Sequence, residues 1–414
     1  MIKRIKICKG LLSLTLVLSI FGICKIVKLL NDENYNKCNG LDTQINNTSQ
    51  KSPDQSESEE MRGLWVSFVD LEINSSEDTQ QKFENKFQDI IKQAKKNKIN
   101  NLFVHVRSHG DALYPSKIFP FSHILTGKQT ETMSFDPLKY MLEESHKNGL
   151  KFHAWINPLR VQLRTKDKIS PKELCEKNPY FKFDSKKHMI YHTGGICYNP
   201  AFEEVQKLVV DGVDEIVKNY DVDGIHFDDY FYPEKRFTTS SDIAFEEYLK
   251  TEKNPMTEGS WRQKHINELV QKVYKSIKEI NPKVEFGISP AGVIANCYKQ
   301  GVDVKRWLSE KEYVDYVCPQ IYWSTDFEVM PFEKTAKNWK NIQKNSEVKL
   351  YCGLALYKVG TDCDENTWKN QSDILKREVE ILRKFGYNGF ALFSSRHLNF
   401  PETQTELKNF LSIM

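Results

Sequence analysis

From residue 62 onward, short apolar and β-branched runs alternate with stretches in which apolar residues recur every three to four positions. The first pattern marks strands and the second marks one buried face of a helix. Strands are predicted at residues 63–69, 101–106, 151–156, 223–228, 284–289, 313–322, 349–356 and 389–393. Helices are predicted between them at 82–97, 137–148, 203–219, 261–280, 331–343 and 373–384, with a last one at 403–412 and a short connection around 302–310. Eight strands alternating with helices predict an α/β fold, a single (β/α)8 TIM barrel. A doubly wound open sheet would call for a Gly-rich phosphate turn after the first strand. None is present there, and Gly194-Gly195 is a lone turn outside that context.

The pattern is different before residue 61. Lys3, Arg4, Lys6 and Lys9 precede an uncharged run at 11–24, the order of an export signal. Ile26, Val27, Leu29 and Leu30 would lengthen that run into a membrane anchor, with Lys25 and Lys28 reaching the headgroups. Residues 1–30 are therefore expected to be a signal peptide or signal anchor, with the membrane as a partner and the rest extracytoplasmic, anchored or secreted. Residues 31–60 are almost devoid of apolar side chains and are expected to form a disordered linker, leaving 61–414 for the barrel.

Charge adds an exclusion. Lys+Arg 59 against Asp+Glu 56 leaves +3, too balanced for a nucleic-acid binder that relies on bulk electrostatics. The nine cysteines include no CxxC pair, which excludes zinc ribbons and thioredoxin-like sites. Cys175 with Cys197 could bridge a long loop, and Cys318 and Cys352 read as buried thiols.

In such barrels the active site gathers at the C-terminal strand ends. Side chains alternate along a strand. His105 and Arg107 should therefore share a face on strand 2, as should His153, Trp155 and Asn157 on strand 3, and His226, Asp228 and Tyr230 on strand 4. The intervening Val106, Ala154, Ile156, Ile225 and Phe227 should pack on helices. Strand 6 adds Gln320, Tyr322 and Trp323. Asp228 is the sharpest candidate, and Asp229 should point away from it in a structural role unless the strand has already ended. A glycosidase needs two carboxyl groups, one protonated and one ionised. Asp70, Glu72, Asp111 and Asp303 also stand near strand ends. Trp65, Trp155, Tyr232, Tyr322 and Trp323 could stack on sugar faces.

The blocks MRGLWVSF, NLFVHVRSHGDALYPS, HAWINPLRV, YDVDGIHFDDYFYP, FGISPAGV and VDYVCPQIYW resemble the glycosyl-hydrolase-like family ten barrels, exported bacterial proteins. The resemblance covers residues 61 to about 395. It implies a (β/α)8 fold and glycoside hydrolysis, some members acting on peptidoglycan glycan strands stripped of their stem peptides. The family's mouth residues fall on His105, Arg107, His153, Trp155, Asn157, Arg160, Asp228, Asp229, Tyr230, Tyr232, Gln320 and Tyr322, and its Asp-and-Trp segment on Asp303 and Trp307. Trp261-Arg262-Gln263-Lys264-His265 departs from the usual WRRxN block, and Ala291 follows Pro290 where Phe is usual. Strand 4 is also distantly similar to the chitinase pattern DGxDxDWE, with Tyr230 in the place of the acidic Glu.

The expected function is an exported glycoside hydrolase acting on a cell-envelope polysaccharide, peptidoglycan glycan preferred, with no cofactor. Asp228 would be one catalytic carboxylate and Asp229 or Asp303 the other, while His153, His226, Arg107 and Tyr322 position sugar and tune protonation. One rival is metal-assisted hydrolysis through His105, His109, His153, His226 and Asp228, although no HxH or HExxH spacing occurs. Another is a non-catalytic glycan-binding barrel.

Overall fold

The computed structural model describes residues 60–163 and 173–414. The chain forms β1 (Met61–Val66), β2 (Asn101–Arg107) and β3 (Lys151–Ile156), joined by the helices Thr79–Lys96 and Pro137–Lys147. It then inserts β4 (Arg160–Leu163), β5 (Met189–His192) and β6 (Gly195–Tyr198), an antiparallel sheet ordered β4-β6-β5. The barrel resumes with β7 (Gly224–Phe227), β8 (Glu285–Ile288), β9 (Tyr316–Val317), β10 (Lys349–Leu354) and β11 (Gly389–Phe393). Helices Glu203–Asn219, Glu258–Ile280, Phe332–Ile342 and Ile374–Lys384 lie between them in sequence, and Gln404–Leu411 ends the chain. The eight barrel strands pair in parallel and β11 closes onto β1, so the expected (β/α)8 barrel is the fold. The expected signal or anchor and the linker through residue 59 lie outside the described residues. Among the described residues no helix is long and apolar enough to cross a membrane.

Local chemistry sets the element ends. Asp136 accepts the Lys139 backbone N–H at 3.1 Å and Pro137 occupies the first helical position, so the second helix starts there. β1 stops short of the expected residue 69 because the Asp70 carboxylate accepts the Ser67 N–H at 2.9 Å and turns Phe68–Leu71 into a helical turn. The expected strand 313–322 keeps only two ladder residues, since Pro319 brings no N–H to a ladder. Gln320 continues it as isolated bridges to Ala291 and Gly353. The inserted sheet was not expected, although Gly194 lies in the turn between two of its strands and Gly195 opens the second of them. Cys175 and Cys197 are free thiols, which corrects the proposed bridge.

Alternation along the strands builds two cores. Leu64, Val104, Ala154, Ile156, Ile225, Phe227 and Ile288 belong to the larger core shared with the helices. Trp65, Phe103, Trp155, Tyr316 and Tyr351 form the second cluster, which fills the barrel lumen. Two glycines make room for it. A Cβ on Gly224 would lie 2.2 Å from His153 Nδ1, and one on Gly287 2.1 Å from the Tyr316 ring.

Candidate active site

β7 ends at Phe227, and Asp228 begins the turn by accepting the Tyr230 backbone N–H on Oδ1 at 3.1 Å. Its Oδ2 accepts Trp155 Nε1–H at 3.1 Å and the Asn157 side-chain amide, both from the tip of β3. Asn157 in turn accepts from Arg160, whose guanidinium also donates to the Ser108 carbonyl at 3.2 Å. Arg160 lies 4.0 Å from the centroid of the Tyr230 ring, and that ring is 42% exposed. The chain has left the strand by Asp229, so this side chain does not point away as alternation suggested. Its Oδ1 accepts Gln320 Nε2–H at 3.2 Å, while the same amide donates to the Ser289 carbonyl at 3.0 Å. Neighbouring carboxyls are thus held by groups from the tips of β3, β8 and β9.

Burial is the main influence on both acids. It raises Asp228 to about 7, opposed by Arg160 and reinforced by the charge of Asp229. It also raises Asp229, with the Gln320 hydrogen bond opposing. Asp228 is buried, whereas Asp229, Gln320, Tyr322 and Trp323 are half-buried and Tyr230 is exposed, so the cluster opens to solvent.

The histidines form the floor. Trp65 Nε1–H donates to His226 Nε2 at 3.2 Å. An indole only donates, so His226 carries its proton on Nδ1 and gives it to the Tyr316 hydroxyl at 3.0 Å. That hydroxyl then donates to His153 Nδ1 at 3.2 Å, leaving the His153 proton on Nε2, a buried atom with no partner. Burial holds His226 well below its usual range and lowers His153 to about 4, so both are neutral. His105 accepts the Phe68 backbone N–H on Nδ1 at 3.1 Å and stacks on Trp155 with ring centroids 3.3 Å apart. Burial, and then the Arg160 charge, hold it well below its usual range.

Several expected placements are corrected. A register shift between His105 and Arg107 pairs Arg107 with Ile156, an outward position. The Arg107 guanidinium therefore packs 4.4 Å from the centroid of Phe119 and against Gly212 of the helix Glu203–Asn219, where it lines a small cavity with Asn157 and Arg160. His153 pairs with Gly224 and His226 with Trp155, so both histidines lie in the lumen beneath the carboxyls rather than beside a sugar. Trp65 is 2% exposed and belongs to that floor. Tyr232 is 1% exposed, donates to Asn199 Oδ1 at 3.3 Å and faces Arg262, so it is no stacking platform. Asp303 is a helix cap: it accepts the Arg306 N–H and the Asn267 amide, each at 3.4 Å, on the helical layer. Trp307 is fully buried there, donating to Asn267 Oδ1 at 2.7 Å.

The structure adds Tyr316, which no motif reading singled out for a role, and gives Ser289, the polar end of the fifth barrel strand, a carbonyl that holds Gln320. It also divides the proposed metal ligands. His226 has both ring nitrogens engaged within the lumen. Among the described residues, the groups close enough to share an ion are His109, Asp111 and His123.

The chain matches the glycosyl hydrolase-like 10 family over residues 60–370. It is 34% identical over 385 residues to glycosyl hydrolase DigH of Escherichia coli K12, covering 84% of this chain and 86% of that protein. It is 33% identical over 372 residues to glycosyl hydrolase YngK of Bacillus subtilis, covering 82% and 69%. Among solved structures, the PgaB (BpsB) glycoside hydrolase domain of Bordetella bronchiseptica superposes with a TM-score of 0.55 at 12% identity, covering 84% of this chain and 98% of that one. An endo-1,4-beta-mannanase from Rhizomucor miehei gives 0.55 at 9% identity, covering 86% and 94%. These distant likenesses bear on the fold alone, whereas the family match and the two relatives carry the assignment: the chain is a member of the glycosyl hydrolase-like 10 family.

Proposed function

We propose that the protein is an exported glycoside hydrolase that cleaves a cell-envelope polysaccharide, with peptidoglycan glycan strands as the preferred substrate. The observation that supports this most is the pair Asp228–Asp229 in a solvent-reaching mouth, its first member raised to about 7. Two adjacent acids in one desolvated site share a proton near neutrality. Three N–H donors meet Asp228 and favour the charge on it, but burial outweighs them and leaves it the more readily protonated of the two. Asp228, the member raised to about 7, holds that proton and gives it to the leaving glycosidic oxygen. Asp229, half-buried at the mouth and accepting the Gln320 amide, offers its charge to the cationic sugar of an oxocarbenium-like transition state. Tyr230, backed by Arg160, supplies an exposed ring for a sugar face.

The test is release of reducing ends from purified, peptide-free glycan strands by Asp228→Asn and Asp229→Asn. Either change should lower kcat by about a hundredfold or more. Unchanged release by both variants would remove the pair from the chemistry. Tight binding of strands by the wild type without any product would favour the glycan-binding alternative.

A further inference from the structure

A second polar cluster stands beside the mouth and takes no part in the reaction above. The loop leaving β2 runs Ser108-His109-Gly110-Asp111 and meets the short turn that begins at His123. One potential ligand atom from each of His109, Asp111 and His123 lies within 4.8 Å of the other two. Asp111 is 0% exposed, and its two oxygens are treated unequally. Oδ2 accepts His123 Nδ1–H at 2.7 Å, the His123 backbone N–H at 3.2 Å and Gln129 Nε2–H at 3.1 Å. Oδ1 is equally buried and has no partner. An anionic oxygen withdrawn from water without a partner is costly.

Two imidazoles face that oxygen's carboxylate. The His109 and His123 rings meet edge-on, centroids 4.7 Å apart. His109 is buried, packed edge-on against Phe68 at 5.1 Å, and its Nδ1 contacts the Ser108 hydroxyl at 2.9 Å. That hydroxyl can accept from Nδ1–H, leaving Nε2 as the ligating nitrogen, the usual outer-shell device of metal sites. The His123 side chain is 36% exposed and gives an ion a way in.

We infer that His109, Asp111 and His123 form a binding site for a nitrogen-preferring divalent cation of the first transition row, zinc above all. Two nitrogens and one carboxylate oxygen, with a fourth position open to water, match a zinc coordination set. Calcium and magnesium call for shells of six or more oxygens, which this cluster does not offer. The ion would take the bare Oδ1 and draw the His123 ring from Oδ2, while Oδ2 keeps Gln129 and the backbone N–H. Phe68 touches both His105 and His109, with centroids at 5.6 and 5.1 Å, so the ion would brace the wall of the mouth one ring away from it. The inference does not depend on the hydrolytic reading.

The experiment uses the tag-free full chain in detergent, stripped with EDTA. Zinc is titrated by calorimetry, and cobalt by the visible bands of nitrogen-ligated Co2+. One zinc per chain is expected. Asp111→Asn and the double variant His109→Ala/His123→Gln should each weaken binding by about tenfold or more and dim the cobalt bands. His123→Gln alone, at a partly exposed position, should do the same with an unchanged far-ultraviolet spectrum, which separates loss of a ligand from loss of fold. No zinc uptake by the wild type would overturn the site. So would uptake of equal stoichiometry and affinity by the double variant, since the ion would then sit on other histidines.

Discussion

Tyr316→Phe tests the floor of the site directly. The change removes one oxygen from the centre of the chain Trp65–His226–Tyr316–His153, where Tyr316 and His226 are 0% exposed and His153 is 2% exposed. His226 cannot compensate by changing tautomer, because Trp65 already donates to its other nitrogen. The variant therefore strands the His226 Nδ1–H donor and the His153 Nδ1 acceptor together. At about 1–3 kcal/mol for each orphaned buried group, the loss is about 2–6 kcal/mol. That is a large share of the roughly 5–15 kcal/mol typical of a folded protein. Urea unfolding at pH 7, followed by tryptophan fluorescence, should show the midpoint falling with the slope unchanged. A loss under about 0.5 kcal/mol, no more than an ordinary surface change produces, would refute the assigned tautomers and the chain of donors built on them.

Tyr230→Ala should raise KM for glycan strands, because the exposed ring above Arg160 is lost, whereas Tyr232→Phe should leave KM alone and cost about 1 kcal/mol of stability for its hydrogen bond to Asn199; equal KM effects would contradict the two placements. Asp303→Asn should leave reducing-end release essentially unchanged, since Asn caps a helix as well as Asp does; a fall of about a hundredfold, the scale of a missing acid or base, would restore Asp303 to the chemistry. Glu378 is 0% exposed with neither carboxylate oxygen partnered, and burial, then Glu406, push it well above 4.5. An acid whose folded pKa is raised loses stability as pH climbs through the interval between its unfolded and folded values. Glu378→Leu should therefore match the wild type near pH 4.5 and gain on it by up to about 1.4 kcal/mol per pH unit above that. Thermal melts at pH 4.5 and pH 8 showing the same difference would count against it.

What was legible in the sequence was whatever alternation controls. Ile225 and Phe227 face the helices while His226 faces the lumen, because a strand offers no other arrangement. Alternation misled wherever a local bond broke the period. One extra residue between His105 and Arg107 turns the arginine outward, and no sequence pattern in this segment marks the shift. At the end of β7 the opposite holds: an Asp that bonds the N–H two residues on is a known turn former, so Asp228-Asp229-Tyr230 could have been read as a turn with both carboxyls at the mouth. Asp303 was open to the same treatment, because an Asp whose side chain meets the N–H three residues on is a helix cap first. Tyr316 was beyond reach. Its partners stand 90 and 163 residues away, and only the closed barrel brings them together.

The neutrality of the floor also bears on the charge of the mouth. With His105, His153 and His226 all held below their usual range, no cation rises from beneath the carboxyl pair. Arg160 acts on both acids with its positive charge and lowers each. It is already engaged with Asn157, the Ser108 carbonyl and the Tyr230 ring. A pair carrying one proton beside one guanidinium is nearly balanced in the resting site, which keeps the cost of burial tolerable. Once Asp228 gives up its proton in the proposed reaction, the pair carries two negative charges against that one guanidinium. The surplus negative charge thus appears as positive charge develops on the sugar, so the site favours the transition state over the ground state rather than binding both equally.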